Sequence, residues 1–278
     1  SRPSPRGGGL FFYVSSMKVN GFIMGPECGG TSELAKMLSE HEEVALHPKS
    51  APHFFDFRSG TELPESCTKG RKRIRIESYL RSFRAPASKF WIDATPSYFY
   101  WPGCSADIMQ HNPEAKIVVV LREPIERVAA PVKKNQEVSC RNFLHEPRSL
   151  DVALAAEKAY RSRVSYPHHE QLCYQHQNEY VRLVIQLLEV FPATQVLFLD
   201  WWDVRQRPRQ AVNQVTDFFE LPRMSKLPKV DRDPNFWKKK LTPTVPAKSR
   251  SNVWRDCAPS YTELTRLTGL SLQDWLRL

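Results

Sequence analysis

The run from Phe22 to Leu34, FIMGPECGGTSEL, has the make-up of an anion-binding turn. Apolar Phe22, Ile23 and Met24 lead into Gly25, Cys28, Gly29 and Gly30. Thr31, Ser32 and a segment with Leu34, Met37 and Leu38 at helical spacing follow. Glycines let backbone N–H groups turn toward one point, and a following helix adds its free N-terminal amides and the positive end of its dipole. The alternative is a glycine turn that only joins a strand to a helix. Gly25 and Gly30 have the spacing of a nucleoside-triphosphate loop, but Thr31 stands where its lysine belongs, which argues against that chemistry. Three more groups could act beside an anion. Arg122 ends the apolar run KIVVVL, Asp93 ends KFWID, and His53 lies in PHFFDF. A guanidinium forks onto phosphate oxygens, and imidazole is the commonest general base. For His53 a hydrogen-bonded structural histidine is the competing reading; Asp93 is either an acidic partner that orients a neighbour or a carboxylate that caps the next turn.

Positioning these groups requires alternating strands and helices. Strands are expected at Phe22 to Met24, Val44 to Leu46, the KFWID segment, Lys116 to Leu121 and Gln195 to Leu199. Helices are expected after Gly30, in IRIESYLRSF, from Pro124, across most of Leu150 to Phe191, after Pro208 and in the closing SYTELTRLTGLSLQDWLRL. The continuously apolar KIVVVL is what a strand covered on both faces requires. Repeated strand and helix in this order predict an α/β, three-layer domain around a central parallel sheet. Ligands of such sheets bind beyond the C-terminal strand ends, where Gly25 to Thr31, Asp93 to Tyr98 and Arg122 to Arg127 all fall. The Pro/Gly/Arg-rich residues 1–16 read as a flexible linker and residues 17–278 as one domain. Basic, proline-broken sequence from Pro222 to Asn252 reads as a loop carrying Lys248 and Arg250.

The chain has 278 residues, and its 40 Lys and Arg against 30 Asp and Glu leave +10, a surface suited to polyanions. The basic clusters KGRKR and KKK lack interleaved aromatics and accompany no nucleic-acid-binding signature, so nucleic acid is not the expected partner. Six cysteines without C-x-x-C spacing argue against a zinc ribbon. Cys28, at a helix N-terminus, is either a reactive thiolate or a small residue filling the turn.

In order along the chain, FIMGPECGGTSELAKMLSEHEEVALHP, PHFFDF, WIDATPSYFY, KIVVVLREPIERV and YVRLVIQLLEVFPATQVLFLDWWDV resemble the PAPS-dependent sulfotransferases. The likeness is nearest to the glycan-modifying branch that includes the heparan sulfate sulfotransferases. PAPS, 3′-phosphoadenosine 5′-phosphosulfate, is the sulfuryl donor and PAP its product. The resemblance implies a nucleotide donor, an acidic glycan or small hydroxyl acceptor, and in-line transfer without metal. It also implies a Golgi-lumenal setting, with any anchor upstream of Ser1. It assigns Gly25, Cys28, Gly29, Gly30, Thr31 and Ser32 to the 5′-phosphosulfate and Arg122 to the 3′-phosphate; the catalytic candidates His53 and Asp93 come from the residues themselves, as substitutes for the family's own groups. Arg127 either assists Arg122 or makes a helix-surface ion pair with Glu123 or Glu126. Against the family pattern, Cys28 and Ala94 replace lysines, Ala51 replaces a glutamate base, and Ala130 replaces a phosphate-binding serine. The resemblance therefore implies either a sulfotransferase or a relative that binds PAP, PAPS or a sulfated polyanion without transferring sulfate.

Overall fold

In this computed structural model residues 17–56, 74–83, 85–86, 89–137, 148–161, 174–227, 245–272 and 275 are described. The expected linker at 1–16, the clusters KGRKR and KKK, and Cys67, Cys140 and Cys173 lie outside them. Cys28, Cys104 and Cys257 form no disulfide among the described residues.

Five strands form one parallel sheet in the order β2-β3-β1-β4-β5. They are β1 (Gly21–Met24), β2 (Val44–Leu46), β3 (Phe90–Asp93), β4 (Lys116–Leu121) and β5 (Val196–Asp200). The central pair runs in register from Gly21 opposite Lys116 to Met24 opposite Val119. From β1 the chain winds to β2 and β3 on one side, then crosses to β4 and β5 on the other. The reversal opens a crevice at the C-terminal end of β1, between β3 and β4.

Side-chain alternation divides the core between the two faces. Phe22 and Met24 of β1 join Ile117, Val119 and Leu121 of β4 in one cluster, which Leu183, Val184 and Leu187 cover from helix α6 (Tyr180–Leu188). Ile23, Val118 and Val120 enter the opposite cluster. There Leu34 and Leu38 of α1 (Thr31–Leu38) and Ala211 and Val215 of α8 (Pro208–Phe218) pack over them. These two covers make the three-layer α/β sandwich that the apolar run of β4 predicts.

The remaining helices are α2 (Ile76–Ser82), α3 (Cys104–His111), α4 (Pro124–Glu137), α5 (Leu150–Arg161), α7 (Trp201–Gln206), α9 (Ala247–Cys257) and α10 (Tyr261–Thr268). Three differences from the sequence reading bear on function. Lys248 and Arg250 lie on α9, not in a basic loop. The last helix stops at Thr268 because Gly269 takes φ 70° and caps it. The short α7 starts directly at the end of β5, where Asp200 Oδ1 accepts the Trp202 amide and its Oδ2 accepts Trp275 Nε1, both at 2.9 Å.

Candidate functional site

The glycine turn between β1 and α1 is built against the protein before any ligand is considered. A side chain at Gly25 would lie 2.3 Å from the Val120 carbonyl oxygen, and one at Gly30, whose φ is 101°, would lie 2.1 Å from Trp201 Cδ1. Three loop amides already have acceptors: Gly25 donates to Pro96 O at 3.3 Å, Gly29 to Pro26 O at 2.9 Å and Glu27 to Gln177 Oε1 at 2.8 Å. The expectation that amides along the whole turn converge on an anion is thereby corrected, because the turn uses these for itself. No acceptor occurs among the described residues for the amides of Gly30, Thr31 and Ser32, at the start of α1. They have the polarity and placement to receive an anion. Cys28 holds φ 61°, and its carbonyl accepts a hydrogen bond from Arg122 Nη1 at 3.1 Å.

Arg122 leaves β4 into the same crevice and is only 2% exposed. Besides Cys28 it meets Glu126 Oε2, at 3.4 Å from Nε and 3.3 Å from Nη2, and its Cζ sits 4.0 Å from the centroid of the Trp201 indole. Trp201 Nε1 in turn donates to Glu33 Oε2 at 3.0 Å, in the first turn of α1. The indole therefore packs between the anion-facing helix end and the arginine. Neighbouring Glu123 caps α4 by accepting the Glu126 amide at 2.7 Å, and burial pushes its carboxyl up to about 7.

Arg127 makes no helix-surface ion pair with Glu123 or Glu126 among the described residues. It is fully buried, with Nε on Asn178 Oδ1 at 2.8 Å and Nη1 on Gln177 Oε1 at 3.3 Å, while Nη2 has no partner among the described residues. Because Gln177 also accepts the Glu27 amide, Arg127 braces the turn from behind. Sequence reasoning missed Gln177, Asn178 and Trp201. For Trp201 the available signal was its place directly after a strand; Gln177 and Asn178 stand in a short 3-10 turn (His176–Asn178) with no motif of their own.

His53 lies on the far side of Pro96. Its Nδ1 is 2.6 Å from Asp56 Oδ2, and Ser97 Oγ donates to the same carboxylate oxygen at 2.5 Å while standing 3.2 Å from that ring nitrogen. Pro96 accepts the Gly25 amide and the adjacent Ser97 holds Asp56, so one 3-10 turn (Pro96–Phe99) joins the anion turn to the histidine. A carboxylate at that distance fixes the proton on Nδ1 and leaves Nε2 as the basic nitrogen. The His53 side chain is 29% exposed and Asp56 is enclosed. Asp56 went unassigned in the sequence, although the i, i+3 spacing with His53 was visible.

Asp93 has the surroundings of a group that orients its neighbours. It is wholly buried and accepts hydroxyls from Tyr79 at 2.6 Å, Thr95 at 2.6 Å and Tyr98 at 3.0 Å. The Tyr98 oxygen accepts the Phe54 and Phe55 amides at 2.8 and 3.3 Å, so Asp93 acts on the His53 segment through a tyrosine. Burial raises its carboxyl to about 6. Of the four departures from the family pattern, Cys28 and Ala51 are half-buried while Ala94 and Ala130 are buried. Lys49 is exposed.

The chain matches a sequence model described as "Sulfotransferase family" over residues 22–225. It is similar to two curated proteins named bifunctional heparan sulfate N-deacetylase/N-sulfotransferase 1. Identity is 24% over 212 residues to the protein of Caenorhabditis elegans and 24% over 208 residues to that of Caenorhabditis briggsae. Each alignment takes in 72% of this chain, which spans 22% of the relative's length. Among solved structures, a sulfotransferase from Alicyclobacillus acidocaldarius superposes with a TM-score of 0.75 at 22% identity, covering 92% of this chain and 98% of that one. That likeness shows a shared fold.

Proposed function

The chain belongs to the sulfotransferase family, and from that premise we propose that it transfers a sulfuryl group from PAPS to a hydroxyl of a glycan or related acceptor. The observation that carries this reading is the Asp56-held His53, joined through Pro96 and Ser97 to a turn whose helix end has open amide donors. The residues fit a nucleotide bearing phosphate groups: the amides of Gly30, Thr31 and Ser32 have no acceptor among the described residues, and the Arg122 guanidinium stands beside them. Gly25, Cys28 and Gly29 shape that turn.

When bound, PAPS supplies the sulfuryl group and departs as PAP, keeping the electrons of the broken S–O bond on its 5′-phosphate oxygen. The amides of Gly30, Thr31 and Ser32, with the α1 dipole behind them, stabilise negative charge at that end. Arg122 contributes a forked cation for phosphate, already stacked on Trp201 and so ordered before binding. His53 Nε2 takes the proton of the acceptor hydroxyl as its oxygen bonds to sulfur, and Asp56 stabilises the resulting imidazolium. Asp93 and Tyr98 hold the loop that carries the histidine. An acidic glycan as acceptor is supported by the +10 charge and by the names of the curated relatives. The Golgi-lumenal setting rests on the family resemblance alone; no helix of the described residues is long and apolar enough to cross a membrane.

The test is turnover of labelled PAPS against a panel of glycan, phenol and amino-sugar acceptors, with His53→Asn in parallel. Asparagine tolerates the positive φ that His53 holds, 55°, so the backbone is kept while the base is lost. Turnover is expected to fall by about a hundredfold or more. Background rates across the whole panel from folded wild-type protein would sink the transferase reading. A second reading, a protein that holds PAP, PAPS or a sulfated polyanion without transfer, is favoured by Cys28, because the turn itself then offers no side-chain cation. PAP binding without turnover would select it.

A further inference from the structure

The turn has Cys28 where the chemistry wants positive charge beside the leaving phosphate, so a cation there has to come from a neighbouring element. Arg127 is sealed behind the turn and Lys49 is solvated. Arg205 is different. It stands on α7, four residues after Trp201 and so on the same helix face. Its guanidinium carbon lies 5.3 Å from the Trp201 ring centroid, and the same indole carries Arg122 at 4.0 Å. The indole edge abuts Gly30 and its nitrogen is tied to Glu33, so Arg205 is set one indole away from the amides that face the anion.

Resting on the sulfotransferase reading above, we infer that Arg205 supplies the cation missing at Cys28, contacting the 5′-phosphate end of the nucleotide from the β5 side. Two guanidinium groups then share one indole at the head of α1, with Glu126 paired to Arg122 and Glu33 to the indole nitrogen. The electrostatic surroundings of Arg205 agree: burial lowers its pKa first, Glu33 and Glu126 oppose that, and Arg122 adds to it. A bound phosphate relieves the repulsion between the two arginines. The charge thus comes from α7, the helix that starts at the end of β5.

The test is calorimetric titration with adenosine 3′,5′-bisphosphate, adenosine 5′-monophosphate and adenosine 3′-monophosphate, using wild type, Arg205→Gln and Arg205→Lys. Arg205→Gln is expected to weaken both 5′-phosphorylated nucleotides by about tenfold or more and to leave the 3′-monophosphate unchanged, with Arg205→Lys recovering most of the loss. Where the 3′-monophosphate binds neither protein, the bisphosphate comparison and the lysine rescue decide. Equal bisphosphate affinity in wild type and Arg205→Gln overturns the inference and leaves the functional reading standing. Equal losses for 3′- and 5′-phosphates, or no recovery with lysine, overturn it also. Failure of the wild type to bind the bisphosphate removes the functional reading and this inference together.

Discussion

Replacing Gly30 by alanine separates backbone strain from packing at the head of α1. Gly30 holds φ 101° and ψ 5°, a conformation that costs a residue with a side chain about 1–2 kcal/mol. The added carbon would also lie 2.1 Å from Trp201 Cδ1, so the indole must move. Moving it weakens the stack on Arg122, worth about 1 kcal/mol, and the hydrogen bond to the Glu33 carboxylate, worth about 1.5 kcal/mol. The sum is about 4 kcal/mol, roughly a 12 °C loss in Tm for a domain of this size. Gly269 provides the control. It has φ 70° with open space where a side chain would go, so Gly269→Ala carries the strain alone, about 1 kcal/mol. Urea unfolding of both variants, and of Gly30→Ala combined with Trp201→Leu, measures each part. The coupling between positions 30 and 201 should be about 2–3 kcal/mol. Equal losses from Gly30→Ala and Gly269→Ala, or additive effects in the double variant, would refute the claim that Trp201 closes the turn.

Further outcomes follow from other contacts. Asp93 has a folded-state pKa of about 6, above its unfolded value near 3.8, so the folded state binds the proton more tightly. Its contribution to stability is therefore largest in acid and falls as pH rises from about 4 to 6. Asp93→Asn should flatten the pH dependence of unfolding free energy across that window by about 3 kcal/mol, and an unchanged slope would disprove the linkage. Glu123, raised to about 7 by burial, has the same sign over a window reaching neutrality, read by the same titration on Glu123→Gln. Asp200→Ala removes both the cap of α7 and the acceptor of Trp275 Nε1, for an expected loss of about 3 kcal/mol by thermal melts; a loss under 1 kcal/mol would mean neither bond matters. Cys28→Lys should keep its melting temperature, because position 28 already holds φ 61° with a side chain present. PAP affinity by calorimetry should rise about tenfold, and no rise would show that the turn does not face the nucleotide.

The strands of the sheet were legible because each is a short apolar run bounded by turn residues, and β4 announced its double burial by having no polar alternation. Helices with a clear apolar stripe, such as α6 and α8, were equally plain. The short α3 and α7 and the polar α9 were not: they lack a clear apolar stripe, and packing against their neighbours stabilises them more than their own sequence does.

At the site, local sequence determined residue types and order: a glycine turn, an arginine at the end of β4, a histidine in an aromatic loop. It could not say which donors are used up. That depended on Pro96, Gln177 and Trp201, which reach the turn from positions roughly 70 to 170 residues further along the chain. The same holds for Asp93, whose hydroxyl partners Tyr79 and Tyr98 enclose it, and for Arg127, which looked like a surface residue until α6 and its preceding turn covered it. Sequence periodicity specifies which face of an element is apolar. Only the assembled layers decide which polar atoms are buried, paired or left open, and that choice sets where charge can be received and which histidine nitrogen can take a proton.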